Sequence, residues 1–234
     1  DLPGSGENHR YPRDSFGKLR KVRESTLNRC ACPNIRAGVF TPMTPVDIAH
    51  KFATRLGTTL DEQAAQQLAS IFVRQEVSKG ETLLAEGQVA RNFLIVEQGL
   101  TRQYYYKNGI EVTEHFCCEW EVVYCTDSML MREPTTLMIE ALEDGVVHNV
   151  PFDEFRQLCD ESPQIMKLYV RLLEDGLVES LRKTDAQRFE SARERYETFV
   201  RQYPEAARRA PGKHIASYLL MTPESLSRVR AGLL

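Results

Sequence analysis

The sequence predicts an α+β fold: short antiparallel strands forming a sandwich or barrel, helices before and after them, and a helical pair at the C-terminus. Three observations carry this. Between residues 75 and 150 the apolar pattern has a period of two and is broken by turn residues. On both sides of that stretch the period becomes helical. Residues 210–230 then read as two short helices around a tight turn.

Residues 1–42 stand apart. They are rich in Pro, Gly, Arg and Asn, lack periodicity, and begin with Asp, whereas Met43 precedes the first helical pattern. They read as a disordered tail or a non-native extension. Cys30 and Cys32 form a Cys-x-Cys pair with nothing nearby to complete a metal site.

Residues 45–73 read as helical. Asp61-Glu62-Gln63 opens a helix carrying Ala64, Leu68, Ile71 and Phe72 at helical spacing. Strands follow at Glu76–Val77, Thr82–Ala85, Phe93–Glu97, Thr101–Lys107, Glu111–Cys117, Val122–Cys125, Leu137–Leu142 and Val146–Val150. Asn108-Gly109 between two of them marks a hairpin, because both positions tolerate positive φ. Ser162-Pro163 opens a long helix through about Lys183, with Met166, Val170, Leu173, Leu177 and Leu181 on one stripe. Such a stripe suits packing against a second copy of the chain, the alternative being that it covers the barrel. Residues 184–187 read as a hinge. A further helix at Ser191–Gln202 ends at Tyr203-Pro204, since proline blocks continuation.

The C-terminal pair is the most informative stretch. Lys213–Leu219 forms the first helix, with Ile215, Ala216 and Leu219 inward. Thr222 caps the second, with Pro223 at its first position. Leu226 and Val229 face back onto the first helix, leaving Ser225, Ser227, Arg228 and Arg230 outward. That is the layout of a helix-turn-helix, whose second helix enters the DNA major groove.

Composition and charge agree with a soluble globular chain. Apolar residues make up 42% and charged residues 27%, ordinary values for that class. No run is long enough for a membrane helix and no signal peptide is legible, so a cytoplasmic location and no membrane partner are expected. The net charge of −3 is unevenly spread. Residues 43–186 hold 13 Lys/Arg against 24 Asp/Glu, whereas residues 187–234 hold 9 against 5. A basic end on an acidic body suits a module that meets phosphate.

The order of elements resembles the Crp–Fnr family of bacterial transcription regulators over residues 60–234. Val77-Ser-Lys-Gly-Glu, Glu86-Gly87, Phe93-Leu-Ile-Val-Glu-Gln-Gly99 and Ile139-Glu-Ala-Leu-Glu-Asp are similar to successive units of that family's cyclic-nucleotide-binding roll. Arg195-Tyr-Glu, Tyr203-Pro-Glu, His214-Ile-Ala-Ser-Tyr-Leu and Thr222-Pro-Glu-Ser-Leu-Ser-Arg resemble the subgroup typical of Bacteroidetes. The resemblance implies an antiparallel β-roll (a double-stranded jelly roll) as sensor over 43–160, a dimerisation helix and hinge over 161–186, and a winged-helix-like helix-turn-helix domain over 187–234. It implies double-stranded DNA with an inverted-repeat operator, a second copy of the chain and RNA polymerase as partners, and no enzymatic activity. The dimer interface would be Met166, Val170, Leu173, Leu177 and Leu181.

The DNA-contacting set would be Lys213, His214, Thr222, Glu224, Ser225, Ser227, Arg228 and Arg230, with Arg208 and Arg209 as further phosphate contacts. Glu224 and Arg228 match the family's base-reading positions; Glu can accept from cytosine N4 and Arg can bind guanine bidentately.

Two departures from the family stand out. The turn between the helices usually holds a left-handed glycine, and here the position falls on Leu220. The cyclic-nucleotide pocket of the family uses Gly-Glu-Leu and, about ten residues on, Arg-Ser or Arg-Thr. Here Thr135-Thr136 occupies the second place and no Gly-Glu-Leu is present. Cyclic AMP is therefore not expected as the ligand, and the effector stays open, with Glu121, Arg132, Thr135 and Thr136 as candidate pocket residues. Cys117 and Cys118, adjacent on a strand, face opposite sides and cannot easily share a metal. A haem ligand could come from His115 or His148, but nothing singles out either.

The alternative function is a small-molecule or haem sensor that acts through protein contacts, with a vestigial DNA-binding domain. An enzyme of the cupin type would need clustered His and Glu ligands, and the strands hold only His115 and His148.

Overall fold

A computed structural model describes residues 43–233, which fall within one compact unit. The expectations for residues 1–42, including Cys30 and Cys32, lie outside the described residues.

The chain enters through α1 (Pro45–Arg55) and α2 (Glu62–Ala69). Thr44 and Asp47 close a capping box on α1, and Pro45 takes the first helical position. The helical stretch expected over 45–73 consists of two helices, the second opening at Asp61 as expected. Gly57 at φ 69° stops the first, and the Asp61 side chain caps the second by accepting from the Ala64 amide. Ile71 and Phe72 lie beyond α2 and lead into the first strand.

Eight strands follow: β1 (Val73–Val77), β2 (Thr82–Leu84), β3 (Asn92–Gln98), β4 (Thr101–Lys107), β5 (Ile110–Cys117), β6 (Val122–Val123), β7 (Met138–Ala141) and β8 (Gly145–Pro151). They form two four-stranded antiparallel sheets, ordered β1-β8-β3-β6 and β2-β7-β4-β5. This is the expected jelly roll. Asn108 and Gly109, at φ 52° and 77°, make the two-residue hairpin between β4 and β5. Between β6 and β7 lies a short helix that the sequence reading left out, α3 (Thr126–Met131).

The roll closes on α4 (Phe152–Glu161) and the 27-residue α5 (Pro163–Phe189), which Ser162 caps. Phe93 of β3, Phe155 of α4 and Tyr169 of α5 stack through edge contacts at the centre of this core. The expected hinge at 184–187 is helical, because Thr-Asp-Ala-Gln contains no breaker. The helix ends at Glu190, and Ser191 starts the next one with a capping box to Glu194.

Four helices complete the chain: α6 (Ala192–Gln202), α7 (Pro204–Arg209), α8 (Gly212–Tyr218) and α9 (Pro223–Arg230). Pro204 both stops α6 and opens α7, which the sequence reading lacked. No strand occurs among the described residues from 187 onward, so the winged part of the expectation has no counterpart there.

The sheet carrying β4 and β5 is buried on both faces. Cys117 belongs to the roll core, whereas its neighbour Cys118 belongs to a second core with Phe116, Phe199, Tyr203 and Leu219. Strand alternation sends the two thiols to opposite sides, as expected, and each side has its own cluster. The helical C-terminal unit is therefore seated on the outer face of the roll.

Candidate nucleic-acid interface and sensor interior

The turn between α8 and α9 is built by its backbone. Leu220 sits at φ 51°, in the left-handed region where the family resemblance placed a glycine. The amide of Leu220 donates to the Ser217 carbonyl and that of Met221 to the Ala216 carbonyl, closing α8. Thr222 then caps α9, its hydroxyl accepting from the Ser225 amide at 3.2 Å. Leu226 and Val229 are buried, and Leu226 joins Ile215, Ala216 and Leu219 in one cluster.

The opposite side of α9 is open. Thr222, Glu224, Ser227, Arg228 and Arg230 are exposed and Ser225 is half-buried. The backbone amide of Glu224 and the Thr222 hydroxyl hold the Glu224 carboxyl below its ordinary range, so it is an acceptor at neutral pH. Arg230 lies over the Tyr196 ring at 5.7 Å, which orients it. Lys213 is exposed at the start of α8.

His214 behaves differently from the rest of its predicted set. It is 4% exposed and faces the roll. Arg209 is likewise committed: it donates to Glu119 at 2.7 Å and to both oxygens of Glu143. Arg208 is exposed and pairs with Glu205 at 2.5 Å. Of the predicted cations, Lys213, Arg208, Arg228 and Arg230 thus face solvent.

The unit is held on the roll by three groups of contacts. Phe116 of β5 packs with Phe199 and Tyr218 at ring-centroid distances of 5.9 and 5.6 Å. Ser217 donates to the Glu111 carbonyl and accepts from the Thr113 amide, both at 2.9 Å, extending the edge of β5. Arg102 of β4, 2% exposed, donates to Glu140 at 2.6 Å, to Glu111 at 2.8 Å and to His214 Nδ1 at 2.6 Å. Sequence reading missed Arg102, because its partners lie on other strands and helices and leave no local pattern.

On α5, Val170, Leu177 and Leu181 are 45%, 63% and 58% exposed. Met166 and Leu173 are partly buried against the roll core. An apolar stripe left in water along a long helix costs free energy until something covers it.

The four candidate effector residues do not converge. Glu121 binds Arg55 at 2.9 Å and the Cys118 amide at 2.8 Å. Arg132 adopts φ 62° at the end of α3 and pairs with Asp153 on the surface. Thr135 is buried and bonded to the Leu137 amide, whereas Thr136 is exposed.

The interior instead presents Gln103, which sequence reading passed over. Its amide donates to the Tyr124 carbonyl and the Cys125 sulfur at 2.9 and 3.5 Å. Alternation along β4 was the available signal, since it sets Gln103 on the face opposite Arg102. Burial pushes the Cys125 thiol up to about 11 and that of Cys117 well above its ordinary value, so both are protonated and poor nucleophiles. An apolar cavity between β3, α3, α4 and α5, lined by Phe93, Met129, Phe155 and Leu172 among others, has a volume of about 10 Å³, room for one water at most.

Comparison with known proteins fits this geometry. Residues 74–162 match the family model for the cyclic nucleotide-binding domain. No curated protein matches the chain significantly. Among solved structures, FixK2 from Bradyrhizobium japonicum is similar at 20% identity and a TM-score of 0.60, over 70% of this chain and 84% of that one. The c-di-GMP-responsive global regulator CLP from Xanthomonas campestris aligns at 13% identity and a TM-score of 0.60, over 74% and 91%. A protein from Eubacterium rectale assigned to the Crp/Fnr family of transcriptional regulators aligns at 16% identity and a TM-score of 0.56, over 74% and 83%. Residues 74–162 are thus similar to the cyclic nucleotide-binding domain, within a chain that has the fold of Crp/Fnr-family regulators.

Proposed function

We propose that this protein is a homodimeric, sequence-specific DNA-binding transcription regulator whose roll senses an effector other than cyclic AMP. One observation carries the reading: α9 is capped, backed by a buried apolar face, and presents Glu224 and Arg228 one helical turn apart on its open side. Arg228 would bind a guanine edge bidentately, and Glu224 would accept from a cytosine N4. Lys213, Arg208 and Arg230 would meet phosphates.

Support for two copies is the exposed stripe on α5. An inverted repeat read by a two-fold dimer needs such an interface. Support for a changed ligand is Thr135 where the family places the arginine that neutralises the cyclic phosphate. Arg132, the nearest cation in sequence, is turned to Asp153. An effector would act by shifting the pose of the two DNA-binding units, a population shift between conformations. RNA polymerase is the expected further partner of such a regulator.

The test is selection from random duplex DNA with the purified chain and with Arg228→Ala. The parent chain should enrich an inverted repeat. Arg228→Ala should relax the preference at one guanine in each half-site, at a cost of about 1–3 kcal/mol. An unchanged preference in the variant would remove the assigned role of Arg228.

A further inference from the structure

The contact between Arg102 and His214 has a requirement of its own. The guanidinium nitrogen of Arg102 carries only N–H groups, so at 2.6 Å the Nδ1 of His214 must accept with its lone pair. The imidazole is therefore neutral in the seated arrangement, with its proton on Nε2. A proton placed on Nδ1 would set N–H against N–H, cation against cation, in a site where Arg102 is 2% and His214 4% exposed.

We propose that His214 and Arg102 form a proton-sensitive latch: the C-terminal helical unit stays seated on the roll while His214 is neutral and is released when it is protonated.

The groups around the imidazole set the sign. Arg102 on β4 and Lys213 on α8 oppose a positive charge there, whereas Glu111 on β5 and Glu140 on β7 favour it. Glu111 Oε1 lies 3.2 Å from Nδ1, but the same oxygen already accepts from Arg102 at 2.8 Å. A protonated His214 could take that oxygen only by weakening the bond of Arg102 to it. Burial is the largest effect and Arg102 the next, and together they hold His214 below its ordinary value. A group whose affinity for protons is lower when seated contributes to seating at pH above its free value. That contribution is lost as the pH falls from the free imidazole value, about 6.5, through the lower seated one.

The other ion pairs along the seam do not involve His214. Arg209 keeps Glu119 and Glu143, and Lys183 keeps Glu114 at 2.7 Å. His115, which faces Glu179 at 3.4 Å and the Tyr203 ring, is the other histidine near the seam. Its ion-pair partner is a carboxylate, not a cation.

The consequence for DNA rests on the function proposed above. Released from Arg102, His214 would become solvent-exposed and cationic beside Lys213, so acidification would both free the unit and add a positive charge for a phosphate.

Hydrogen exchange of the full chain, read by mass spectrometry at pH 7.5 and 5.5 and corrected for intrinsic rates, tests the latch without DNA. The Thr113 amide, bonded to Ser217, and the segment 214–219 should lose protection at the lower pH, while β1, β3 and β8 keep theirs. His214→Asn supplies an amide oxygen near the place of Nδ1 and cannot become cationic, so it should retain protection at both values. His115→Asn should behave as the parent chain does. Unchanged protection in the parent chain, or an equal loss in His214→Asn, would overturn the latch. DNA affinity at the same two values is read separately. A rise on acidification that His214→Asn lacks supports the coupling, and an equal rise in both sinks it. Absence of DNA binding at both values would refute the DNA reading, while the exchange result would still decide the latch.

Discussion

Gly176 on the long helix leaves room for the phenol of Tyr124: a Cβ at position 176 would fall on the Tyr124 hydroxyl oxygen, well inside contact distance. Tyr124 precedes α3 and its hydroxyl reaches the Leu172 carbonyl at 3.5 Å. One ring of the sensor interior thus meets α5 at a point where the helix carries a residue poor in helix propensity.

This pair predicts a coupled response. Alanine is better than glycine inside a helix by about 1 kcal/mol. Gly176→Ala should nevertheless lower stability, because the new methyl displaces the phenol. Removing the hydroxyl with Tyr124→Phe should make Gly176→Ala neutral or stabilising, since the ring carbon that carries the hydroxyl lies 3.5 Å from where that methyl would stand. A double-mutant cycle by chemical denaturation reads the coupling, and simple additivity would contradict the contact.

The stripe on α5 predicts the assembly state. Leu177 and Leu181 are 63% and 58% exposed in the single chain. Burying each at a dimer interface would contribute about 1.5 kcal/mol or more. Leu177→Glu with Leu181→Glu should weaken association more than about a hundred-fold. Sedimentation would show a monomer whose circular dichroism matches the parent; an unchanged dimer would place the interface elsewhere.

Leu220 predicts a gain. A left-handed non-glycine residue costs about 1–2 kcal/mol, and glycine gives back about 0.4–1 kcal/mol of that through its freer unfolded chain. Leu220→Gly should therefore raise stability by up to about 1 kcal/mol, and Leu220→Val should lower it, because a β-branched residue resists this backbone. Thermal unfolding of the three proteins ranks them; a most stable Leu220→Val would refute the turn geometry.

The Arg209 clamp predicts an acid-sensitive seam. Burial pushes the Glu119 carboxyl up, but the bond and charge of Arg209, with backbone donors, outweigh it and hold the group below its ordinary value. A lowered carboxyl stabilises the fold above its unfolded value, and that contribution is lost as the pH falls through the lowered one. Arg209→Ala should cost about 2 kcal/mol at pH 7. The cost should shrink as the pH is taken from 5 towards 3. Urea unfolding across that range gives the comparison, and a cost that stays constant would show that the clamp adds nothing through Glu119.

Local signals made much of this molecule legible. The period-two runs, the Asn108-Gly109 turn, the Ser162, Ser191 and Thr222 caps and the proline at 223 each act within a few residues, so sequence alone located the strands, the long helix and the C-terminal pair of short helices. The left-handed position at Leu220 was also placed correctly. Helix ends were harder: the helix opened at Asp61 stops before Ile71 and Phe72, Pro204 began a helix the sequence reading lacked, and residues 184–187 held no breaker and stayed helical.

What tertiary structure decided is where charge goes. Arg102, Arg209 and His214 look like ordinary surface residues in a linear reading. Folding carries the first into a strand buried on both faces, and seats the other two against carboxylates on distant strands and turns. Burial of a charge is tolerable only with partners at hydrogen-bond distance, and those partners, Glu111, Glu119, Glu140 and Glu143, are brought together only by the β-roll and the helices packed on it.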